Sequence, residues 1–128
     1  YKKKITKAAA STFLASGAKL TTAGKNAEAI ADLEKALKFE QDNPEIYFYL
    51  GSAYNNSKLW DKAIDACNKG LAVEKDDQDK QAKHYYNMGL ALKGKGDKTA
   101  ACNAFKSALF GQFKENAQYE IEHELKCN

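Results

Sequence analysis

The chain has 128 residues, 44% of them hydrophobic and 29% charged, a balance that suits one domain with its own core. The net charge is +3, but every one of the 20 basic residues is Lys; a chain without Arg argues against a nucleic-acid partner, because bidentate grips on phosphate and guanine favour Arg. No apolar run approaches the ~20 residues of a membrane span, and a single proline among strong helix formers predicts an all-α chain.

The first residues, Tyr1 to Lys4, read as a short solvated basic start. The stretch "KKKITKAAASTFLASGA" is basic and then small-apolar, but Lys7, Ser11 and Thr12 interrupt it too often for a secretion signal. A chain that starts at Tyr1 sets the expectation of a piece of a longer protein. Localisation is left open, with the cytoplasm slightly favoured and export expected if a signal or anchor precedes Tyr1.

A first helix carrying Phe13, Gly17 and Leu20 should break at Thr22–Asn26, with Asn26 as the cap of a second, "NAEAIADLEKAL". Asn43, Pro44 and Glu45 form a strong start for a third: a cap, a proline in the first turn, then an acid at the positive end of the helix dipole. That helix, "IYFYLGSAY", should turn at Ser57–Leu59 into "WDKAIDACNKGL". After the charged stretch "EKDDQDKQ", where Asp76, Asp77 or Asp79 can cap, comes "HYYNMGLAL". Gly94–Asp97 then turns the chain into "KTAACNAFKSAL". Past Gly111, a last helix over about 115–126 has an apolar line of Ala117, Ile121 and Leu125.

These segments repeat. Gly17, Gly51 and Gly89 stand 34 and 38 residues apart, which is one period plus a four-residue insertion placed between Glu74 and Gln81. In the second helix of each unit, Ala29, Ala63 and Ala101 are followed four residues later by Leu33, Cys67 and Phe105. Ala36, Gly70 and Ala108 come three residues after those. That is one helical stripe. Small residues there let two axes approach, and the larger middle residue fills the space beside them.

The pattern resembles the tetratricopeptide repeat over about 8–110. Tyr47, Leu50, Gly51, Tyr54, Ala63 and Gly70 carry the best-matched unit. Tyr85, Met88, Gly89, Leu92, Ala101, Phe105 and Ala108 carry the third. Phe13, Gly17, Leu20, Ala29, Leu33 and Ala36 carry a weaker first, in which Ser16 stands where Leu is usual. The resemblance implies an all-α fold, a right-handed αα-superhelix of antiparallel helix pairs. The expected organisation is a single domain, 1–128, with repeats at about 8–43, 44–77 and 82–111 and a capping helix at about 115–126.

Chemistry is scarce. His123 and Cys127 share a helix face at i, i+4 but make at most half a zinc site, and Asp76–Asp79 lacks the rest of a calcium loop. His84 has no nucleophile arranged beside it, and no Gly-rich phosphate cradle is present. No catalytic site, metal or cofactor is expected. Cys67 and Cys102 fall on packing faces and are expected to be buried free thiols, with Cys127 accessible near the end.

What remains is a surface. In stacked helix pairs the first helices line a concave groove. The row expected there is Phe48, Ser52 and Asn55, continued by Tyr86, Leu90 and Lys93, with Lys83 and Asn87 beside it. Leu14, Ala18 and Thr21 hold the equivalent places in the first unit. Aromatics, amides and lysines together suit a peptide: pockets for side chains, amides for backbone, a cation for an acid. Phe48 and Tyr86 are also candidates for plain packing on a neighbouring helix. Some relatives grip C-terminal carboxylates of chaperones. Of the residues that do so only Lys83 is matched here, with Leu14, Ala18, Tyr49 and Asn87 in the other places, so that role is not assigned. The expected function is a non-catalytic interaction module for a protein or peptide. The alternative is a structural or self-associating solenoid segment, for which light scattering would show mass rising with concentration.

Overall fold

The structure, a computed structural model, describes residues 2–127, with side chains from Thr6 onward. The solvated basic side chains expected at Tyr1–Lys4 lie outside the described residues. Six helices form three pairs: α1 (Lys2–Thr22) with α2 (Asn26–Phe39), α3 (Pro44–Asn56) with α4 (Trp60–Val73), and α5 (Gln78–Lys95) with α6 (Lys98–Ser107). A 3₁₀ turn (Gly111–Phe113), a short α7 (Lys114–Tyr119) and a π-helical turn (Glu120–Glu124) complete the chain. Adjacent pairs stack through α2–α3, α4–α5 and α3–α5 contacts, and the apolar core falls into two clusters, one over α1–α4 and one joining α5, α6 and the C-terminal segment.

Each pair closes where its glycine meets the larger residue of the partner helix. A Cβ on Gly17 would lie 2.5 Å from Leu33 Cγ, and one on Gly89 would lie 2.7 Å from the Phe105 ring. Gly51 is looser: a Cβ there would sit 3.5 Å from Cys67 Sγ and 3.2 Å from Asn87 Nδ2. The smaller Cys67 explains the difference. Gly89→Ala should therefore cost about 1–3 kcal/mol through overpacking. In Gly51→Ala the helix-propensity gain, up to ~1 kcal/mol, offsets most of the crowding. Thermal melts of the two variants check this, and equal midpoints would show that Phe105 does not press on Gly89.

The helix ends follow local chemistry. Asn43 Oδ1 accepts from the Glu45 N–H and Pro44 opens α3, as the sequence predicts. Asp77 caps α5, accepting from the Asp79 and Lys80 N–H groups. Asn26 is not a cap. It is the first residue of α2, and its Oδ1 accepts from Asn56 Nδ2 at 3.1 Å, tying two turns together. The four-residue insertion falls within 74–81 as expected, but it lengthens a helix rather than a loop. Once Asp77 caps, Gln78–Gln81 continue as helix, and α5 has 18 residues against 13 in α3. The added turn lies against Gly111, whose φ of +58° favours glycine.

Two expectations about the C-terminal region are corrected. The last segment is not one regular helix over 115–126. After Tyr119 the backbone widens to i+5 bonding, with the Leu125 N–H donating to Glu120 O at 2.8 Å. Ala117 and Leu125 still join the Phe105 cluster, so the segment covers the end of the solenoid. Cys102 is not a free thiol and Cys127 is not an accessible one, because the two form a disulfide. Cys67 is buried and free, and burial pushes its thiol up to about 12. Thiol counting in denaturant should find one group before reduction and three after; native labelling of Cys127 would contradict the pairing.

Candidate functional site

The eight residues expected in the groove have three different surroundings. The amides are spent inside the fold. Asn87, buried, donates through Nδ2 to Phe48 O at 3.1 Å and to Ser52 Oγ at 3.2 Å. Asn55, also buried, donates to Asn87 O at 2.9 Å. Ser52, Asn55 and Asn87 thus form a polar ladder between α3 and α5, rather than a set of free grips for a peptide backbone. Buried amides bonded in this way fix the register of one repeat on the next.

Lys83 belongs to a compact ionic cluster. Its Nζ lies 2.6 Å from Glu74 Oε1 and 3.2 Å from Glu45 Oε1, and its side chain is only 14% exposed. Burial alone would lower its pKa; the bonds to the two carboxylates outweigh that and raise it, so Lys83 stays charged. His84, fully buried, shares Glu74 through Nε2 at 3.1 Å. Burial lowers its pKa, with Lys83 acting in the same direction, against the Glu74 bond.

The aromatic and cationic remainder meets the C-terminal segment. The Phe113 ring lies 5.3 Å from Tyr86 and 6.0 Å from Phe48. Tyr86 also rests edge-on against Phe105, and burial followed by the Glu120 charge raises its phenol pKa. Leu90 packs on the same cluster. Lys93 Nζ binds Glu120 Oε1 at 2.7 Å, a bond that raises its pKa, and approaches Glu124 Oε2 at 3.9 Å.

Beside this contact an open pocket of about 410 Å³ separates α3, the added turn of α5 and the 3₁₀ turn. Phe48, Tyr49 and Phe113 supply its rings, and Lys80, Lys83, Glu45 and Asp79 supply its charges. Of these, sequence reasoning had placed only Phe48 and Lys83 in a site. Asp79 and Lys80 arrive with the helical insertion. Phe113 is carried in by Gly111, and the Phe-Gly-Gln-Phe string was the one available signal for it. His123 packs on Tyr119, and Cys127 is consumed by its disulfide, so the two form no metal site. Among the described residues no cluster of three His, Cys, Asp or Glu could hold a metal, and no helix is long and apolar enough to cross a membrane.

Stacked antiparallel helix pairs with a glycine seam in each, ending in a covering segment, define a helical-repeat solenoid. Residues 17–57 match the family described as TPR repeat, and residues 82–109 match the one described as tetratricopeptide repeat. The chain belongs to the tetratricopeptide repeat family. Similar solved structures include a TPR-like protein from Chlorobium tepidum, 18% identical, covering 98% of each chain with a TM-score of 0.82. The TPR domain of Arabidopsis OM64 is 18% identical, covers 94% of this chain and 97% of that one, and has a TM-score of 0.83. The first TPR domain of human RPAP3 is 23% identical, with coverages of 92% and 90% and a TM-score of 0.79. At these identities the likeness shows the fold alone. No curated protein matches the sequence. The family typically supplies protein-interaction modules without catalysis.

Proposed function

We propose that the protein is a non-catalytic module, a single domain that holds a peptide or partner segment against the concave side of α3 and α5. The observation that carries this reading is the open pocket of about 410 Å³, where Phe48 and Tyr49 stand beside charges of both signs. A ring floor with a charged rim takes an apolar side chain and orients the polar backbone around it. Within the expected row, Phe48 supplies contact surface and Lys83 supplies charge in this pocket, whereas Tyr86, Leu90 and Lys93 lie against the C-terminal segment. Ser52, Asn55 and Asn87 act by holding α3 against α5. The Cys102–Cys127 disulfide favours an oxidising location over the cytoplasm.

The test begins with affinity capture and mass spectrometry, followed by direct binding of the partner found. Phe48→Ala and Lys80→Glu should each weaken binding by at least ~10-fold, the scale of one interface anchor. Lys80 is exposed, so its variant should keep the native melt. Undiminished binding by both folded variants would place the site elsewhere.

A further inference from the structure

The contacts of the C-terminal segment have the composition of a bound ligand. Phe113 fills the angle between Phe48 and Tyr86, and Glu120 and Glu124 answer Lys93. Three of the residues expected to grip a partner are thereby held by the chain itself. A short tether gives such a segment an effective concentration on the order of millimolar, so an external competitor meets a filled site. The far end of the segment is fastened to α6 by the Cys102–Cys127 bond. That bond opens onto a second cleft, about 360 Å³, lined by Lys98, Lys106 and Lys126. Cys102 is 8% exposed, whereas Cys127 is half-buried and faces the cleft. A cationic approach to a disulfide favours the anionic thiolate that attacks it and the thiolate that leaves.

Resting on the interaction reading above, we propose that residues 110–127 are a tethered self-ligand latched by the Cys102–Cys127 disulfide, and that reduction by a dithiol in the lysine-lined cleft frees the groove for a helical partner segment bearing an aromatic followed by acids. The step balances. A reductant thiolate attacks Cys127 Sγ, forming a mixed disulfide and expelling Cys102 as a thiolate, which takes a proton. The second reductant thiol then displaces Cys127, so the protein gains two thiols and the reductant becomes a cyclic disulfide. Phe113 and Glu120 define the partner's chemistry because they already satisfy Tyr86 and Lys93.

Hydrogen–deuterium exchange of the full chain before and after dithiothreitol reads the latch without any partner. Amides of 112–126 should exchange at least ~10-fold faster after reduction, while α1–α4 keep their protection. The probe for the groove is a labelled peptide with the sequence of residues 110–126. It should bind the reduced Phe113→Ala chain at least ~10-fold more tightly than the oxidised Phe113→Ala chain, and adding Lys93→Glu should abolish that gain. Unchanged exchange on reduction overturns the latch, even if a partner from elsewhere binds the pocket. Faster exchange throughout the chain makes the bond a global staple and also overturns it. Faster local exchange without peptide binding overturns the self-ligand, leaving the interaction reading to its own test.

Discussion

Phe105→Ala is expected to lower the unfolding free energy by about 3–5 kcal/mol, the range for truncating a fully buried aromatic. Phe105 has no exposed surface, and its ring lies in three contacts at once. It presses on Gly89 within its own pair, meets Tyr86 edge-on at 5.6 Å, and receives Ala117 and Leu125 from the covering segment. The loss joins two costs, the transfer energy of the ring and the cavity between α5, α6 and the C-terminal segment. A domain of this size has roughly 5–15 kcal/mol in total, so the variant stands near the edge of folding. Urea unfolding at constant slope measures the change. A loss under about 1 kcal/mol would show that the three elements do not share this ring. Leu33 and Cys67 occupy the same place in the other pairs. Phe105 stands at the end of the stack, where the largest residue closes the seam.

The pair-by-pair architecture was legible in the sequence because the seam is local. Gly17, Gly51 and Gly89 sit opposite Leu33, Cys67 and Phe105 through contacts that the helical period and the 34-residue spacing specify together. Contacts between repeats were harder to read, since they depend on side-chain identity rather than period. Gly70 stood where the family has Ala, and the reason lies one repeat away: a Cβ there would meet the His84 ring. Asn55 and Asn87 looked like surface amides by helical position, but the α3–α5 approach buries both. The insertion was legible in place but not in form, because three aspartates offered themselves as caps and only the choice of Asp77 turns Gln78–Gln81 into helix. The disulfide joins cysteines 25 residues apart with no motif between them, and the π-helical turn that precedes Cys127 carries no sequence signal of its own. One of the three pocket rings is Phe113, whose place follows from how the chain leaves Gly111.

Glu74→Ala should cost about 2–3 kcal/mol at neutral pH and extend the loss of stability in acid. The Glu74 side chain is 7% exposed and serves two partners, Lys83 at 2.6 Å and His84 at 3.1 Å. Breaking a buried pair from one side typically costs 3–5 kcal/mol, because the other charge is left without compensation. Lys83 retains Glu45 at 3.2 Å, so the loss falls below that range. His84 retains nothing: its Nδ1 already lacks a hydrogen-bond partner, and Nε2 would join it. The pH dependence follows from burial, which keeps His84 neutral in the fold and its pKa below the ordinary value. Above pH ~6.5 neither the folded nor the unfolded histidine takes a proton, and its full contribution is present. As the pH falls below ~6.5, the unfolded chain takes the proton first, and stability declines by up to ~1.4 kcal/mol per pH unit until the folded pKa is reached. The Glu74 bond raises that folded value against the effect of burial. Removing Glu74 therefore moves it lower and prolongs the decline. Urea unfolding from pH ~7.5 downward should show wild type and Glu74→Ala declining in parallel until the wild-type folded pKa is passed, and the gap between them widening below it. His84→Gln, which keeps a donor for Glu74 but does not titrate, should flatten the decline. An acid decline unchanged in His84→Gln would remove His84 as its source.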